Sequence, residues 1–362
     1  MKILVIQQKM IGDVLTSSIL FEALRKKYPQ AELHYLIYKH TLPVVENNPY
    51  VDKFLLFDPE KDNRVKGFVG FLKKIRYNEY DVVIDVYSKI NTALFNIFSG
   101  AQTKISYHKW YTKKAYTQTF KPKQDLETNA GYAIENRMYL LNGLSKGFPP
   151  EIKPKIYLTK EEKNTARKRL ENEGISFEKP LIMCGILGSS DSKTYPLPYM
   201  AQVLDFIVEK TDAQLLFNYI PKQEKEARKL LDLCNPKTRE HVYFDIFGKS
   251  LREFMAITHF CDALIGNEGG AVNMAKALDI PTFSIFSPQI KKENWSIYED
   301  GKKNVSVHLR DFHPAEFEDL EKKEIAKKAA TFYELLKPNL IFAKLETFLK
   351  EITSASSVEI KQ

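Results

Sequence analysis

Cysteine is scarce in this chain. Only Cys184, Cys234 and Cys261 occur in 362 residues, an odd number with no CxxC pair. That count argues against a disulfide framework and favours a reducing compartment. No stretch offers 18 uninterrupted apolar residues, so no membrane-spanning helix is expected. The opening MKILVIQQKMIGDV has a short apolar run before Gln7 and Gln8 and no small-residue cleavage site, so it does not read as a signal peptide. Gly12 is the only glycine before Gly67, which leaves no GxGxxG turn and disfavours a dinucleotide dehydrogenase. The seven histidines form no HxxxH or Cys/His cluster, so no metal site is expected. A GxSxG elbow and a Walker loop are also missing.

What is present fits an ordinary globular protein. Hydrophobic residues make up 44% and charged residues 28%, which excludes disorder, collagen and coiled coil as descriptions of the whole chain. At roughly 150 residues per domain the length suggests two domains. Lys and Arg outnumber Asp and Glu by 54 to 46, a net +8 that suits a polyanionic partner.

Strand-like and helix-like segments alternate. In the first half, strands are expected at Lys2–Ile6, Glu32–Ile37, Lys53–Leu56 and Asp81–Val86, and helices at Val14–Tyr28, Leu42–Asn47 and Val65–Lys74. A second series follows Pro149, Pro150 and the charged helical stretch Lys160–Glu173. Its expected strands are Pro180–Cys184, Ala213–Asn218, His241–Asp245, Ala263–Gly266 and Thr282–Phe286. Its expected helices are Leu197–Lys210, Lys222–Cys234, Leu251–Phe260 and Val272–Leu278, with Asp319–Leu336 and Asn339–Ile352 in the tail. This order predicts two mostly parallel sheets covered by helices, an α/β architecture used twice. Such sheets bind ligands at the carboxyl ends of their strands, here expected to face a central cleft.

Four segments could carry chemistry. Gly12 and Asp13 lie in the turn after the first strand, where Asp13 reads either as a helix cap or as a general base. Gly185 to Pro196, with Gly188, Ser189, Ser190 and Lys193, offers backbone amides and a cation before a helix, as a phosphate cradle or as a solvated loop. Glu268, Gly269, Gly270 and Asn273 lie between a strand and a helix, where free amides and the helix dipole favour a pyrophosphate. Glu268 is better suited to sugar hydroxyls, and its bland reading is a cap. Residues 101–123 hold six lysines and no acid, interleaved with Tyr107, Trp110, Tyr111, Tyr116 and Phe120. This could bind an anionic glycan, a lipid surface or single-stranded nucleic acid, or be a solvated basic loop.

These segments together resemble glycosyltransferase family 9, the bacterial heptosyltransferases of lipopolysaccharide core synthesis. The resemblance rests on KILVIQQKMIGDVLTSSILFEALRKKYP, on NEYDVVIDVYSKINTALFNIFSGAQTKISY, on SSDSKTYPLPYMAQVL and on IFGKSLREFMAITHFCDALIGNEGGAVNMAKALDIPTFSIFSP, in that order. It implies a GT-B fold with two Rossmann-like domains, and inverting, metal-independent transfer from an ADP-sugar, with no cofactor. It implies Asp13 as general base and Lys193 as the catalytic cation. The donor would be held by Gly188, Ser189, Ser190, Lys193, Glu224, Lys249, Glu268, Gly269, Gly270 and Asn273. Gly12, Lys89, Lys104, Lys109 and Lys113 are the acceptor-side candidates. Glu268, Gly269, Ala271 and Asn273 depart from the family's Asp, hydroxyl residue, Pro and His, which bears on the donor sugar.

The expected layout is an acceptor domain over 1–155, a linker and helix over 156–178, and a nucleotide-sugar domain over 179–325. Helices over 326–353 would return to the first domain, and 354–362 would be a disordered tail. The expected partners are an ADP-heptose donor, a lipid A/Kdo-type or other anionic glycan acceptor, and the inner membrane surface, with a cytoplasmic location peripheral to that membrane. A non-catalytic nucleotide-sugar binder is the alternative, and a single-stranded nucleic-acid-binding protein the lesser one.

Overall fold

The computed structural model describes residues 1–356. The chain divides into two compact units, Met1–Tyr157 and Leu158–Gln362. In the first unit, six strands form one sheet: β1 (Lys2–Ile6), β2 (Glu32–Tyr38), β3 (Lys53–Phe57), β4 (Val82–Asp85), β5 (Thr103–Tyr107) and β6 (Gln118–Phe120). Their order is β3-β2-β1-β4-β5-β6, and every pairing is parallel. The second unit adds β7 (Leu181–Gly185), β8 (Gln214–Phe217), β9 (Ala263–Asn267), β10 (Thr282–Ile285) and β11 (Asn304–Val307). These pair in the order β11-β10-β9-β7-β8, again all parallel.

The strands read as continuous apolar runs because both sheet faces are covered. Ile3 to Ile6 and Leu181 to Cys184 are almost wholly inaccessible. Each sheet reverses its strand order once, between β1 and β4 and between β7 and β9. A crevice opens outside the carboxyl ends at such a reversal, because the helices on either side depart to opposite faces.

Several expected elements differ from the observed ones. The helix over Val14–Tyr28 is two helices, Ile11–Ser17 and Ile19–Lys27. Ser18 breaks it: its hydroxyl bonds Leu15 O at 2.7 Å, and its N–H is shared by Val14 O and Leu15 O. The expected helix Leu42–Asn47 is instead a 3₁₀ segment, Lys39–Val44, carrying Pro43, which cannot donate a backbone hydrogen bond. His241–Asp245 is not a strand; it makes one parallel bridge, Leu215 to Val242, before a turn. The basic segment 101–123 is not a loop but β5, a 3₁₀ turn and β6.

The charged segment after residue 156 is the helix Lys160–Asn172, which packs within the second unit. Its Glu162 and Arg169 pair with Arg252 at 2.6 Å and Glu253 at 2.5 Å on the helix Leu251–Thr258. The tail runs through Lys322–Lys327 and Ala329–Leu335 to the helix Pro338–Ser356. Phe342 of that last helix stacks on Phe206 of the helix Leu197–Thr211, centroids 4.3 Å apart. Residues 354–356 of the expected tail are helical, and the rest of that tail lies outside the described residues. All three cysteines are buried.

Candidate active site

The reversal between β1 and β4 gathers one set of polar groups. The helix Ile11–Ser17 starts five residues after β1, and Asp13 is its third residue. Asp13 Oδ2 accepts the Met10 N–H at 3.1 Å, so one oxygen does cap the helix. The other, Oδ1, accepts from Arg137 Nη2 at 2.7 Å. Arg137 belongs to the helix Tyr132–Leu140 and is buried; its Nε donates to Ser17 Oγ at 2.8 Å and its Nη1 to Ala133 O. Gly12 is the second residue of the first helix, and its carbonyl accepts from Thr16 Oγ1 at 2.8 Å.

Across the same crevice, β4 ends on Asp85, which is fully buried. It accepts from Ser88 N–H at 2.8 Å, from Tyr116 Oη at 2.7 Å and from Asn96 Nδ2 at 3.4 Å. Burial pushes its carboxyl above the usual range, and hydrogen bonding from Ser88, Thr92, Tyr116 and Tyr87 opposes the shift. Burial also raises Tyr107, to about 12, with the Arg137 charge opposing. Ser88 holds a positive φ of 54°, which presents its carbonyl to Lys109 Nζ at 2.8 Å. Burial lowers the Lys109 ammonium, Lys89 adds to the shift and Asp85 opposes it. Asn91 bridges the two loops by donating to Gln8 Oε1 at 2.5 Å.

Of the acceptor-side candidates, the structure brings Lys109 and Lys89 to this rim. Lys89 precedes the helix Ile90–Ser99 as its cap residue, and Lys113 stands exposed in the 3₁₀ turn Lys113–Ala115 that packs on that helix. Lys104 is not at the rim: it pairs with Val83, two residues back from Asp85, inside the sheet.

In the second unit, β7 and β9 are neighbours with Gly185 opposite Gly266, so the loops that follow them are held side by side. A Cβ on Gly266, at φ +141°, would lie 2.3 Å from Gly185 O, so only glycine fits there. After β7, the Gly188 N–H bonds Thr194 Oγ1 at 3.0 Å and Thr194 Oγ1 bonds Ser190 O at 3.0 Å, which folds the loop back on itself. Ser189 and Ser190 are exposed on it. Ser287 and Gln289, after β10, tie down Ser192 O at 2.8 and 3.1 Å.

This folding aims Lys193 at Glu268, Nζ to Oε1 3.7 Å. Glu268 is mostly buried, and that Oε1 has no hydrogen-bond partner among the described residues. Burial raises its carboxyl, while the Lys193 ammonium pulls it down. Gly269 caps the helix Gly270–Ala277, and nothing lies within 4 Å of a Cβ built on Gly269 or Gly270. Asn273 lies one turn along, its N–H on Gly269 O at 3.3 Å. Open space over a helix start next to a lysine is a place for an anion, and Glu268 Oε1, which faces Lys193 without accepting a hydrogen bond, can still accept one from a hydroxyl.

Glu224 and Lys249 are not joined to this group. Glu224 pairs with Arg228 one turn along its own helix at 2.8 Å, and its neighbour Gln223 instead donates to Gly188 O at 3.1 Å. Lys249 is exposed at the start of the helix Leu251–Thr258, beside Phe247, which packs on Tyr219 with centroids 4.7 Å apart. Among the described residues, no group of three or more His, Cys, Asp or Glu is placed to hold a metal.

Sequence reasoning missed Arg137, Asp85 and Gln223, and named Tyr116 only as one aromatic of the basic segment. Arg137 had a local signal: Glu135 and Arg137 interrupt an otherwise half-apolar helix, and both are buried. Asp85 closes an apolar strand, where a carboxylate needs a partner. Its partner Tyr116 lies 31 residues away and has no local signal.

The family model of glycosyltransferase family 9 (heptosyltransferase) matches residues 69–325. Lipopolysaccharide heptosyltransferase 1 of Campylobacter coli is 22% identical over 341 residues, covering 90% of this chain and 97% of that protein. The crystal structure of a family 9 glycosyl transferase from Veillonella parvula superposes with a TM-score of 0.80 over 97% of each chain, at 18% identity. Escherichia coli ADP-heptose lipopolysaccharide heptosyltransferase II superposes with a TM-score of 0.65 over 92% of this chain and 99% of its own, at 16% identity. Two parallel Rossmann-like sheets of the GT-B class carry the loops described above, and a family match over most of the sequence accompanies them: the chain belongs to glycosyltransferase family 9 and is a glycosyltransferase.

Proposed function

We propose that this enzyme transfers a heptose from ADP-heptose, with inversion and without a metal, to a lipopolysaccharide core or related anionic glycan. The observation that carries the reading is the Lys193–Glu268 pair beside the open start of the helix Gly270–Ala277. The donor diphosphate would take the Lys193 ammonium and the amides at Gly269 and Gly270, and a sugar hydroxyl would donate to Glu268 Oε1, which faces Lys193 but accepts no hydrogen bond. The names of the relatives, a lipopolysaccharide heptosyltransferase and an ADP-heptose enzyme, support the substrate classes.

Inversion follows from a single displacement. The acceptor hydroxyl oxygen attacks the anomeric carbon as the bond from that carbon to the diphosphate oxygen breaks. The hydroxyl proton passes to Asp13, and the electron pair leaves with ADP. Lys193 and the helix amides stabilise the charge that grows on the departing diphosphate. Arg137 fixes the Asp13 carboxylate by a charged hydrogen bond, which sets the direction of its free lone pairs. Lys89, Lys109 and Lys113 would meet the anionic acceptor.

Thermal shift with ADP, UDP and GDP and their sugars tests the donor. Stabilisation by ADP species at concentrations about 100 times Kd corresponds to about 2.7 kcal/mol. A response to none of the nucleotides rejects the donor assignment. Donor binding without transfer to any glycolipid acceptor would leave a non-catalytic binder.

A further inference from the structure

The helix Ile90–Ser99 is apolar on its outer face as well as on part of its inner one. Its inward face carries Ala93 and Phe95 together with Thr92, Asn96 and Ser99, and these three polar residues are buried and bonded to backbone or to Asp85. Its outward face carries Ile90, Leu94, Ile97 and Phe98, at i, i+4, i+7 and i+8, one stripe of an α-helix. Ile97 is 53% exposed and Phe98 50%. Beside it lies the helix Val65–Tyr77, joined by Phe68 stacked on Phe95 at 5.3 Å and by Arg76 donating to Ser99 O at 3.4 Å. That helix also turns apolar residues outward: Val65 is 84% exposed and Val69 44%. The turn Lys113–Ala115 packs on the first helix, and just before it Trp110 stands 82% exposed.

Charge on this face has one sign. Residues 63–78 and 86–124 contain no Asp or Glu, while Lys66, Lys73, Lys74, Lys113 and Lys114 are exposed among the apolar groups. A solvated helix would reverse this pattern, as Lys160–Asn172 does with two inward apolar residues and charges outside. No helix among the described residues is long and apolar enough to cross a membrane. Exposed aliphatic groups and a tryptophan with lysines among them match a bilayer interface with anionic headgroups.

We infer that this face of the first unit, formed by the helices Val65–Tyr77 and Ile90–Ser99 with the Trp110 turn, docks the enzyme on an anionic lipid surface. The inference rests on the reading that the acceptor is lipid-anchored: the lysines attract the surface, and Val65, Ile97, Phe98 and Trp110 enter the headgroup region. The residues that dock are distinct from Asp13, Lys193 and Glu268.

The test uses the full chain and vesicles of phosphatidylethanolamine with phosphatidylglycerol, against phosphatidylcholine alone. The wild type should sediment with the anionic vesicles, and I97E/F98E should reduce that partition by about tenfold or more. In a W295F background, which leaves Trp110 as the sole tryptophan, emission should shift to the blue on adding anionic vesicles. Circular dichroism should show I97E/F98E folded, and its transfer to a water-soluble acceptor fragment should match the wild type. Equal vesicle binding by both proteins, or an unshifted Trp110 emission, overturns the inference. So does light scattering that shows I97E/F98E abolishing a dimer in lipid-free solution, or single-stranded DNA binding that the variant loses. Absence of transfer to the soluble fragment by the wild type would instead count against the proposed function, with vesicle binding intact.

Discussion

Arg137 holds Asp13: Nη2 stands 2.7 Å from Oδ1, while the same guanidinium is anchored on Ser17 Oγ at 2.8 Å. The other Asp13 oxygen accepts the Met10 N–H. A cap and a base therefore coincide in one side chain, and substitution can separate them. Asn keeps an acceptor for Met10 and loses the ability to take a proton. Asp13→Asn should lower kcat by 10² to 10⁴ (roughly the worth of a general base) while Tm moves only slightly. A variant with near-normal kcat would leave Asp13 as a cap alone, by steady-state kinetics beside calorimetry.

Arg137 acts through Asp13, so it is a positioning residue. Arg137→Met keeps bulk and removes the charged hydrogen bonds. We expect kcat to fall about tenfold with the donor KM unchanged, and partial recovery in Arg137→Lys. Equal losses in Met and Lys variants, tracking a fall in Tm, would make its role purely structural.

The glycines of the second unit divide into two kinds. Gly188→Ala would bring a Cβ to 2.2 Å from Lys193 O, so the loop must shift and both Tm and donor binding should drop. Gly270→Ala meets nothing within 4 Å and has an ordinary helical φ, so stability should hold or rise by about 0.5 kcal/mol, with Tm unchanged or higher. Its methyl would occupy the space assigned to the diphosphate, so ADP affinity should nevertheless fall. Unchanged ADP affinity in Gly270→Ala, by calorimetric titration, would move the diphosphate elsewhere.

Lys193→Met removes the ammonium that lowers the Glu268 carboxyl, leaving burial to raise it further. ADP binding should weaken by about tenfold or more, since a charged hydrogen bond to phosphate is among the stronger single contacts. The matching Glu268→Gln should leave ADP affinity nearly intact and weaken binding of the sugar nucleotide. Equal losses for ADP and ADP-heptose in Glu268→Gln would place Glu268 on the nucleotide.

Asp85 gives a pH signature. Its folded value is raised above the ordinary 3.8, so the folded state binds more protons than the unfolded one in the window just above that value. Its contribution to stability is therefore complete below 3.8 and is lost as pH rises through the folded value. Asp85→Asn should flatten that part of the stability–pH curve, read by denaturant titration at several pH values. An unchanged slope would show that the hydrogen bonds from Ser88, Thr92, Tyr116 and Tyr87 fully offset burial.

Much of this site was legible locally. Apolar runs broken by Gly12-Asp13, by Gly188 to Lys193 and by Glu268 to Gly270 placed those groups after strands, hence at carboxyl ends. Errors arose where local pattern and tertiary context disagree. No strand is expected within residues 101–123, which read either as a binding segment or as a solvated basic loop, because strand pairing, not periodicity, makes β5 and β6. His241–Asp245 has the composition of a strand but gains only one bridge beside β8.

The sequence by itself determined the alternation of strands and helices, the family, and which loops carry the polar groups, since burial period and turn chemistry are properties of neighbouring residues. The tertiary structure alone decided which groups meet. Lys193 reaches Glu268 because β7 pairs with β9, and Asp85 shares a crevice with Asp13 because β4 inserts beside β1. Arg137 finds Asp13 across 124 residues. Such partnerships are fixed by sheet order and by the requirement that buried charges be paired; a charge inside an apolar run signals that a partner is needed, but not which residue supplies it.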